Sequence, residues 1–479
     1  MPPGWWVEMV RMTTSEQAVV DGGVAPEGAG GVERTAVGPS RRDFLVGAGA
    51  LGLAGGAALP LFGAPLAAFA QAPVDRGQTN PGSGTGPGAQ PPEVHFPPTE
   101  KSTERQEGQP PNPEPPDMRV GYCAIGLGRI SLTEMIPGML QSKRSRLVAV
   151  MTGDPNKGRA IAQQFGLDPR RVYGYNEWDR LRDDRAVEAV YVGTPNALHA
   201  EHVVHAAGAG KHVLCEKPMA TNVADAERMV RACAAAGRKL MIAYRIQYEP
   251  HNRQAMRMVR DSGPGRGPLG KITLIEMFNG QAQGDPTQWR QKLALSGGGS
   301  LPDVGVYCFN TARFLTGEEP VEIRAQLMDP KDDPRFREVE ETVLWQMRFP
   351  SGTLANCGCS YGTHQSRRYR VNGEDGWVEV DPAFAYEGLR MRQARAEGNA
   401  ELVTNREMSQ KSQFMREVDH FSQCVRENRQ PYTPGEEGVQ DHRVQAAIYE
   451  AARTGRPVTM APVAGKDAFR GPPPQETMS

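Results

Sequence analysis

The sequence predicts an α/β protein in which a Rossmann-type, doubly wound parallel sheet is followed by an α+β domain with a largely antiparallel sheet. Three observations predict this fold class. Over residues 119–140 an apolar run, a glycine-rich turn and a segment with helical spacing follow one another. Strand and helix patterns then alternate, with short links, as far as residue 243. Beyond that point several strand-like runs follow one another with few helices between them.

The first domain is predicted over residues 118–243. Its strands should lie parallel, because a helix between neighbouring strands returns the chain to the same edge of the sheet. The predicted strands are Arg119–Ile125, Arg146–Met151, Ala189–Val192, His212–Cys215 and Lys239–Ala243. The predicted helices are Ile130–Leu140, Pro155–Phe165, Leu198–Ala209 and Val223–Ala235.

The second domain is predicted over residues 244–460, with a tail over residues 461–479. Its predicted helices are Glu249–Arg260 and Gly438–Arg453. Its predicted strands are Lys271–Phe278, Thr342–Phe349, Thr353–Ser360, Tyr369–Asn372 and Trp377–Val380, with a hairpin turn at Ser351 and Gly352. One face of this sheet is expected to pack on helices, which leaves the other face to pair with another subunit.

Residues 1–70 are predicted to form a twin-arginine export signal. Arg41 and Arg42 precede an uncharged run, Phe44–Ala70, which ends in the small-residue cleavage pattern Ala68-Phe69-Ala70. The run is long enough to cross a bilayer, but its glycines and two prolines lower its hydrophobicity. We therefore expect export of the folded protein to the periplasm rather than a stable membrane anchor.

Residues 71–117 are predicted to form an extended arm. They are rich in Pro, Gly, Gln and charged residues and contain almost no large apolar side chains. Such a segment cannot bury enough surface to offset its ordering entropy when it stands alone. The composition leaves open whether the arm docks on a neighbouring subunit.

Composition excludes several classes of function. The chain has 55 Lys and Arg against 56 Asp and Glu, a net charge of -1, so nucleic acid is not an expected partner. The 7 Cys include no C-x-x-C pair, which argues against a disulfide framework or a zinc site. His199, His202 and His205 have helical spacing, but the third lies nearly two turns from the first and no acid completes a set. We expect no metal.

The first glycine turn predicts a dinucleotide site. Gly126 permits the tight turn between strand and helix, and Gly128 allows a pyrophosphate to approach the backbone at the helix N-terminus. Ser131 stands at the third glycine position of the usual motif, which should loosen the packing of helix on strand without blocking phosphate binding.

The segment after the second strand predicts which dinucleotide binds. Thr152 stands where an acid would hold the ribose diol of NAD, and the cation Lys157 lies nearby to meet the extra phosphate of NADP. Asp154 is the alternative acid, although it can equally cap the next helix. NADP is favoured, and NAD remains the alternative.

Three residues predict proton transfer beside a hydride carrier. Lys217 follows a parallel strand at its carboxyl end, where a doubly wound sheet places its ligand groups. Asp303 and Tyr307 are spaced i and i+4 on a helix that follows a glycine-rich turn, so both should lie on one helix face. Taken singly, Lys217 could be a solvated lysine, Asp303 a helix cap and Tyr307 a core aromatic residue.

The motifs resemble those of the Gfo/Idh/MocA oxidoreductases, and within that family the glucose-fructose oxidoreductase branch. The similarity extends over residues 118–458. The motifs that carry it are Glu216-Lys217-Pro218, residues 244–252, residues 297–307, Gly317-Glu318-Glu319-Pro320, residues 434–438 and residues 447–458. Most of the family has His where Tyr307 stands, whereas the glucose-fructose branch has Tyr.

The resemblance implies tightly held NADP, sugar substrates, and a homodimer or homotetramer built through the C-terminal sheet. It also implies an arm that can wrap a neighbouring subunit and cover its cofactor. The implied catalytic residues are Lys217, Asp303 and Tyr307. The implied cofactor-binding residues are Gly126, Gly128, Arg129, Ile130, Thr152, Lys157, Thr194, Asn196, His199, Glu216, Lys217 and Arg245. The implied substrate-binding residues are Tyr244, Trp289 and Arg290.

Three hypotheses for function follow. The first is an NADP-dependent oxidoreductase that oxidises an aldose at C1 and reduces a second sugar with the same bound cofactor. The second is an exported sugar or cyclitol dehydrogenase with exchangeable NAD, which Asp154 would favour. The third is a catalytically silent sugar-binding protein, which the joint presence of Lys217, Asp303 and Tyr307 argues against.

Overall fold

The first sheet of the computed structural model is parallel throughout and has the order β3-β2-β1-β4-β5-β6. The structure describes residues 114–408 and 412–474, all within one compact unit. The predicted export signal, residues 1–70, and residues 71–113 of the predicted arm lie outside the described residues. The six strands are β1 Val120–Ile125, β2 Ser145–Met151, β3 Val172–Tyr173, β4 Ala189–Val192, β5 His212–Glu216 and β6 Leu240–Ala243.

The helices lie between these strands as the alternation predicts, and the chain order reverses beside β1. Two of them begin irregularly, because π-helical turns at Ser131–Met135 and Leu301–Gly305 precede α1 and α8. The α-helices are α1 Ile136–Gln141, α2 Pro155–Gln164, α3 Trp178–Asp183, α4 Asn196–Gly208, α5 Val223–Ala235, α6 Pro250–Asp261, α7 Leu293–Ser296, α8 Val306–Thr316, α9 Gln413–Arg426 and α10 Gly435–Thr454.

The second sheet has the order β14-β13-β12-β11-β7-β10-β9-β8-β15 and is antiparallel except where β7 and β10 pair. Its mainly antiparallel pairing confirms the predicted fold class. The strands are β7 Ile272–Gly280, β8 Glu322–Met328, β9 Thr342–Arg348, β10 Leu354–Ser360, β11 Ser366–Gly373, β12 Gly376–Val380, β13 Met391–Glu397, β14 Ala400–Arg406 and β15 Val458–Thr459.

Helix packing explains how the two sheets are held together. The last helix, α10, packs against both α5 of the first sheet and β8 of the second. All 7 cysteines, which lie within the described residues, are buried free thiols, as their scattered positions predict. None of the helices in residues 114–408 and 412–474 combines the length and apolarity that a membrane span requires.

Candidate active site

The turn after β1 has the shape of a phosphate cradle. Gly126 has φ +84°, and a Cβ there would lie 2.7 Å from Thr194 Cγ2 and 2.9 Å from the Gly193 carbonyl carbon. Gly128 is exposed, and a Cβ there would meet nothing closer than the Gly193 oxygen at 4.0 Å. Only glycine therefore fits at the first position, and the second leaves the backbone open to a ligand.

Ser131 ties this turn to the helix that follows it. The side chain is fully buried, and its Oγ donates to the Gly126 carbonyl oxygen at 2.6 Å. The expectation that a serine here loosens the packing is therefore wrong, because the hydroxyl fills the space and closes the turn. Arg129 is exposed and Ile130 half-buried at the start of the helix.

The residues around this turn fit a dinucleotide. The Thr194 hydroxyl is buried and has no hydrogen-bond partner within the described part of the chain, so a ligand group in the crevice could satisfy it. Together with the open backbone at Gly128 and the unpaired N–H groups of a helix N-terminus, it provides contacts for a pyrophosphate and its riboses.

The turn after β2 separates the roles of Thr152 and Asp154. Asp154 Oδ1 accepts hydrogen bonds from the Asn156 and Lys157 backbone nitrogens at 2.9 and 3.1 Å, so this carboxylate is the N-cap of α2. Thr152 lies buried at the end of β2 and accepts the Asp154 backbone N–H at 3.2 Å. Lys157 is exposed in the first turn of α2.

Replacing Thr152 by aspartate is expected to shift the cofactor preference from NADP toward NAD. The added carboxylate would stand beside the position of the 2′-phosphate and repel it, while it could bond a free ribose diol. Titration of both cofactors with both proteins measures the change. An unmodified protein that already prefers NAD tenfold, about 1.4 kcal/mol, would show that this cofactor assignment is wrong.

His199 and Asn196 hold loops of the crevice together. The His199 ring nitrogens lie 3.0 Å from the Pro218 carbonyl and 2.8 Å from the Thr194 carbonyl, and the ring is buried. Asn196 Nδ2 donates to the Ser296 carbonyl at 2.8 Å. Both ring nitrogens of His199 and the Asn196 Nδ2 group are thus engaged by the protein and hold the loops in place. The direct cofactor contacts that the resemblance implies for these two residues stay predictions.

The other two histidines of the helically spaced set, His202 and His205, pack against aromatic rings. His202 is buried 4.9 Å from the Tyr175 ring, and His205 stacks on Trp178 at 5.4 Å, both between ring centroids. Burial lowers the pKa of His202 to about 4. Within residues 114–408 and 412–474 no group of three or more His, Cys, Asp or Glu side chains could hold a metal ion.

Lys217 joins Asp303 to Tyr307. Its Nζ donates to the Asp303 carbonyl oxygen at 2.8 Å and to Oδ1 of the same residue at 3.1 Å. The ammonium also lies 4.7 Å from the centre of the Tyr307 ring. Burial alone would lower the pKa of Lys217, but the neighbouring Tyr307 and Asp303 raise it above its usual value. The lysine is therefore a fixed positive charge.

Asp303 is the second charged centre. Its Oδ2 accepts hydrogen bonds from Arg290 Nε at 3.1 Å and from Tyr361 Oη at 2.7 Å. Burial would raise the pKa of this carboxyl, but Lys217 and Arg290 hold it below its usual value. The Arg290 guanidinium lies 4.4 Å from the centre of the Trp289 ring, so the predicted pair stays together beside Asp303.

Tyr307 contacts two cations, Lys217 and Arg245. Its Oη accepts a hydrogen bond from Arg245 Nε at 3.1 Å, and the Arg245 guanidinium lies 4.7 Å from the ring centre. The other Arg245 nitrogens donate to Gln413 Oε1 at 2.6 Å and to the Phe384 carbonyl at 2.8 Å. The structure thus places Arg245 at Tyr307, and its implied cofactor contact stays a prediction.

Two family descriptions match most of this chain. Residues 120–244 match the Gfo/Idh/MocA oxidoreductase family, NAD-binding Rossmann fold, and residues 265–460 match the C-terminal α/β domain of the same family. The chain belongs to the Gfo/Idh/MocA family. The resemblance predicted from its motifs is thereby confirmed.

Individual relatives act on sugars or related compounds. The chain is 32% identical over 344 residues to D-xylose 1-dehydrogenase [NADP(+)] of Haloarcula marismortui, covering 71% of this chain and 92% of the relative. It is 28% identical over 335 residues to 1,5-anhydro-D-fructose reductase of Ensifer adhaerens, covering 69% and 96%. The structure of aldose-aldose oxidoreductase from Caulobacter crescentus with glycerol has a TM-score of 0.68 and 44% identity, covering 71% of this chain and 100% of that chain.

Two further predicted residues of this Gfo/Idh/MocA site lie beneath its surface. Glu216 is buried, and its Oε1 accepts a hydrogen bond from Tyr191 Oη at 3.0 Å. Burial raises the pKa of Glu216, although Lys217 acts in the opposite direction. Tyr244 helps to line a small cavity with Lys217 and Tyr307, and burial and the nearby Asp441 raise the pKa of its hydroxyl.

The sequence did not identify three residues that shape this family site. Tyr361 bonds Asp303, Gln413 holds Arg245, and the Tyr386 ring lies 4.5 Å from the Arg245 guanidinium. Tyr361 directly follows β10, and the end of a strand beside the glycine-rich helix is the only signal that could have suggested it. Gln413 and Tyr386 stand in no motif.

Proposed function

We propose that the protein is an NADP-dependent sugar oxidoreductase that oxidises an aldose at C1 to the lactone and reduces a second sugar with the same bound cofactor. The observation that carries the proposal is the placement of Lys217 Nζ between the Asp303 carboxylate and the Tyr307 ring. A proton acceptor in contact with two cations, beside a dinucleotide fold, is suited to removal of a hydroxyl proton as hydride leaves.

The relatives support a sugar as the substrate and NADP as the cofactor. D-xylose 1-dehydrogenase [NADP(+)] acts at C1 of an aldose with NADP, and aldose-aldose oxidoreductase is named for two aldoses. Asp154 gives NAD less support than its position in the sequence suggests, because its Oδ1 caps α2. The second sugar, a ketose or an aldose, is part of the proposal.

The nicotinamide, when bound, supplies hydride acceptance and donation. During oxidation Tyr307 accepts the proton of the C1 hydroxyl. The positive charges of Lys217 and Arg245 stabilise negative charge on the Tyr307 oxygen. Asp303 fixes Lys217 and, with Arg290 and Trp289, lies where it can orient the sugar. During reduction of the second sugar Tyr307 returns the proton to the carbonyl oxygen, so the groups are restored after each cycle.

Two measurements test this function. The absorbance spectrum of the purified protein should show a nicotinamide that survives gel filtration, and an aldose alone should reduce it in a single turnover. Steady-state kinetics with two sugars should be ping-pong without added cofactor. A cofactor that washes out freely, with turnover only when NAD is added, would favour an ordinary dehydrogenase with exchangeable cofactor instead.

We also propose that the mature protein is periplasmic and begins near Gln71. Arg41-Arg42 and Ala68-Phe69-Ala70 bracket one uncharged segment, as a twin-arginine signal requires. N-terminal sequencing of the periplasmic fraction should give a start at or near Gln71, and Arg41→Lys with Arg42→Lys should abolish export. Recovery of the protein from membranes with residues 44–70 retained would contradict this.

The outer face of the second sheet supports a homodimer or homotetramer. Leu344 is 51% exposed and Leu354 43% exposed. Leu344 and the half-buried Phe278 lie against Gly358, and Leu354 lies on the same strand as Gly358, β10. Exposed apolar side chains on a sheet face are typical of a subunit interface. Light scattering should show an oligomer that Leu344→Asp with Leu354→Asp converts to a monomer. A wild-type monomer at micromolar concentration would exclude this interface.

A further inference from the structure

A buried carboxylate from a distant part of the chain meets the glycine-rich turn before Asp303. Glu340, just before β9, is 5% exposed. Its Oε2 accepts the Gly299 backbone N–H at 2.8 Å, and its Oε1 accepts the Leu301 backbone N–H at 2.9 Å and Tyr449 Oη at 3.0 Å. All three partners donate, which suits the acceptor-only character of an ionised carboxylate.

The turn is shaped around this residue. A Cβ at Gly299 would collide with the Glu340 carbonyl oxygen, and one at Gly298 would collide with the Tyr449 hydroxyl. The Ser300 backbone nitrogen also donates to the Glu340 carbonyl at 3.4 Å. The glycines at 298 and 299 are therefore needed for the close approach of Glu340 and Tyr449.

The anchored segment leads directly into the proposed catalytic residues. The π-helical turn Leu301–Gly305 contains Asp303, and Tyr307 lies in the first turn of α8. The first N–H groups of a helix have no partner inside the helix, so an external carboxylate both satisfies them and complements the helix dipole. Burial raises the pKa of Glu340, while its N–H donors and Tyr449 act in the opposite direction.

We propose that Glu340, supported by Tyr449, is a positioning residue that fixes Asp303 and Tyr307 against Lys217. Glu340 holds the backbone two residues before Asp303, whose carbonyl and carboxylate both accept from Lys217. A shift of this turn would move the lysine and the tyrosine apart. The kinetic consequence rests on the proposed function, whereas the anchoring of the turn does not.

Glu340→Gln is the test, because the amide keeps the shape but turns an NH₂ group toward N–H donors. Hydrogen exchange of peptides covering residues 298–307 should become faster, and single-turnover cofactor reduction at saturating aldose should fall about 10- to 100-fold. Affinity for NADP should stay within twofold, because the phosphate turn is untouched. Glu338→Gln, two residues earlier, is the matched control, since that exposed side chain binds Lys292 and the Leu293 backbone. It should change none of the three measurements more than twofold.

The combination of variants separates positioning from general destabilisation. In an Asp303→Asn background, Glu340→Gln should lower the single-turnover rate less than twofold, because the residue that Glu340 positions is already impaired. Three results would overturn the proposal. The first is a further 10- to 100-fold fall in the single-turnover rate when Glu340→Gln is added to Asp303→Asn. The others are unchanged hydrogen exchange or a wild-type rate in Glu340→Gln alone. If Glu340→Gln does not fold, Tyr449→Phe removes one donor, and a rate equal to wild type would overturn the proposal. If hydrogen exchange is faster in Glu340→Gln but an aldose does not reduce the cofactor of the wild-type protein, the proposed function is wrong. The anchoring of the turn by Glu340 is then still supported.

Discussion

Tyr307→Phe is expected to lower the rate of cofactor reduction by an aldose roughly 10²- to 10⁴-fold, the usual contribution of general acid–base catalysis. The change removes only the hydroxyl that Arg245 contacts at 3.1 Å. The phenyl ring keeps its place 5.8 Å from the Phe384 ring and under the Lys217 ammonium. Cofactor affinity should therefore be unchanged. Single-turnover absorbance measurements with preloaded NADP give the rate directly.

Tyr386→Phe is the comparison for this variant. Tyr386 also lies against Arg245, with the guanidinium 4.5 Å from its ring centre, but it belongs to no motif of the site. Its hydroxyl is not assigned a proton-transfer role, so the variant should lose less than tenfold. A normal rate in Tyr307→Phe, with the large loss in Tyr386→Phe, would transfer the proton acceptor to Tyr386.

The parts of the fold that depend on local pattern could be predicted from the sequence. Strand Ala189–Val192 and helix Val223–Ala235 have the predicted bounds, because a fully buried apolar run and a capped amphipathic segment are local signals. By contrast, the seven residues of β14 are all exposed and show no apolar alternation. A strand at the edge of a sheet with no buried face leaves no such signal in the sequence.

The candidate site also contains residues that local sequence patterns indicate and residues that they do not. Gly126 could be predicted because a tight turn between strand and helix requires glycine. Lys217 and Tyr307 could be predicted because they stand in motifs that resemble those of the family. Tyr361 reaches Asp303 across 58 positions of sequence, and Gln413 reaches Arg245 across 168. Contacts at such separations depend on how sheets and helices pack, which short spacing rules do not encode. The contacts of Arg245 with Tyr307 and Gln413 are of this kind, and no short motif indicates them.

Lys217→Ala is expected to be at least as damaging as Tyr307→Phe, with a loss of about 10³-fold or more in cofactor reduction. It removes the charge 4.7 Å from the Tyr307 ring centre and the donor that binds the backbone carbonyl and Oδ1 of Asp303. Asp303 then keeps only Arg290 and Tyr361, which would draw its carboxylate toward them. The loss should appear in the single-turnover rate constant, with NADP affinity changed less than tenfold.

Control variants show whether the loss in Lys217→Ala comes from the lysine charge at Tyr307. Lys292→Ala removes an exposed lysine that pairs with Glu338, and it should leave the rate within twofold. Combining Lys217→Ala with Tyr307→Phe should cost far less than the product of the single losses, because groups that act as one unit are not additive. Small alkylammonium ions should partly restore Lys217→Ala, since they return the charge without the side chain. A Lys217→Ala protein that reduces its cofactor within tenfold of the wild-type rate would mean that the lysine charge is not used in proton transfer.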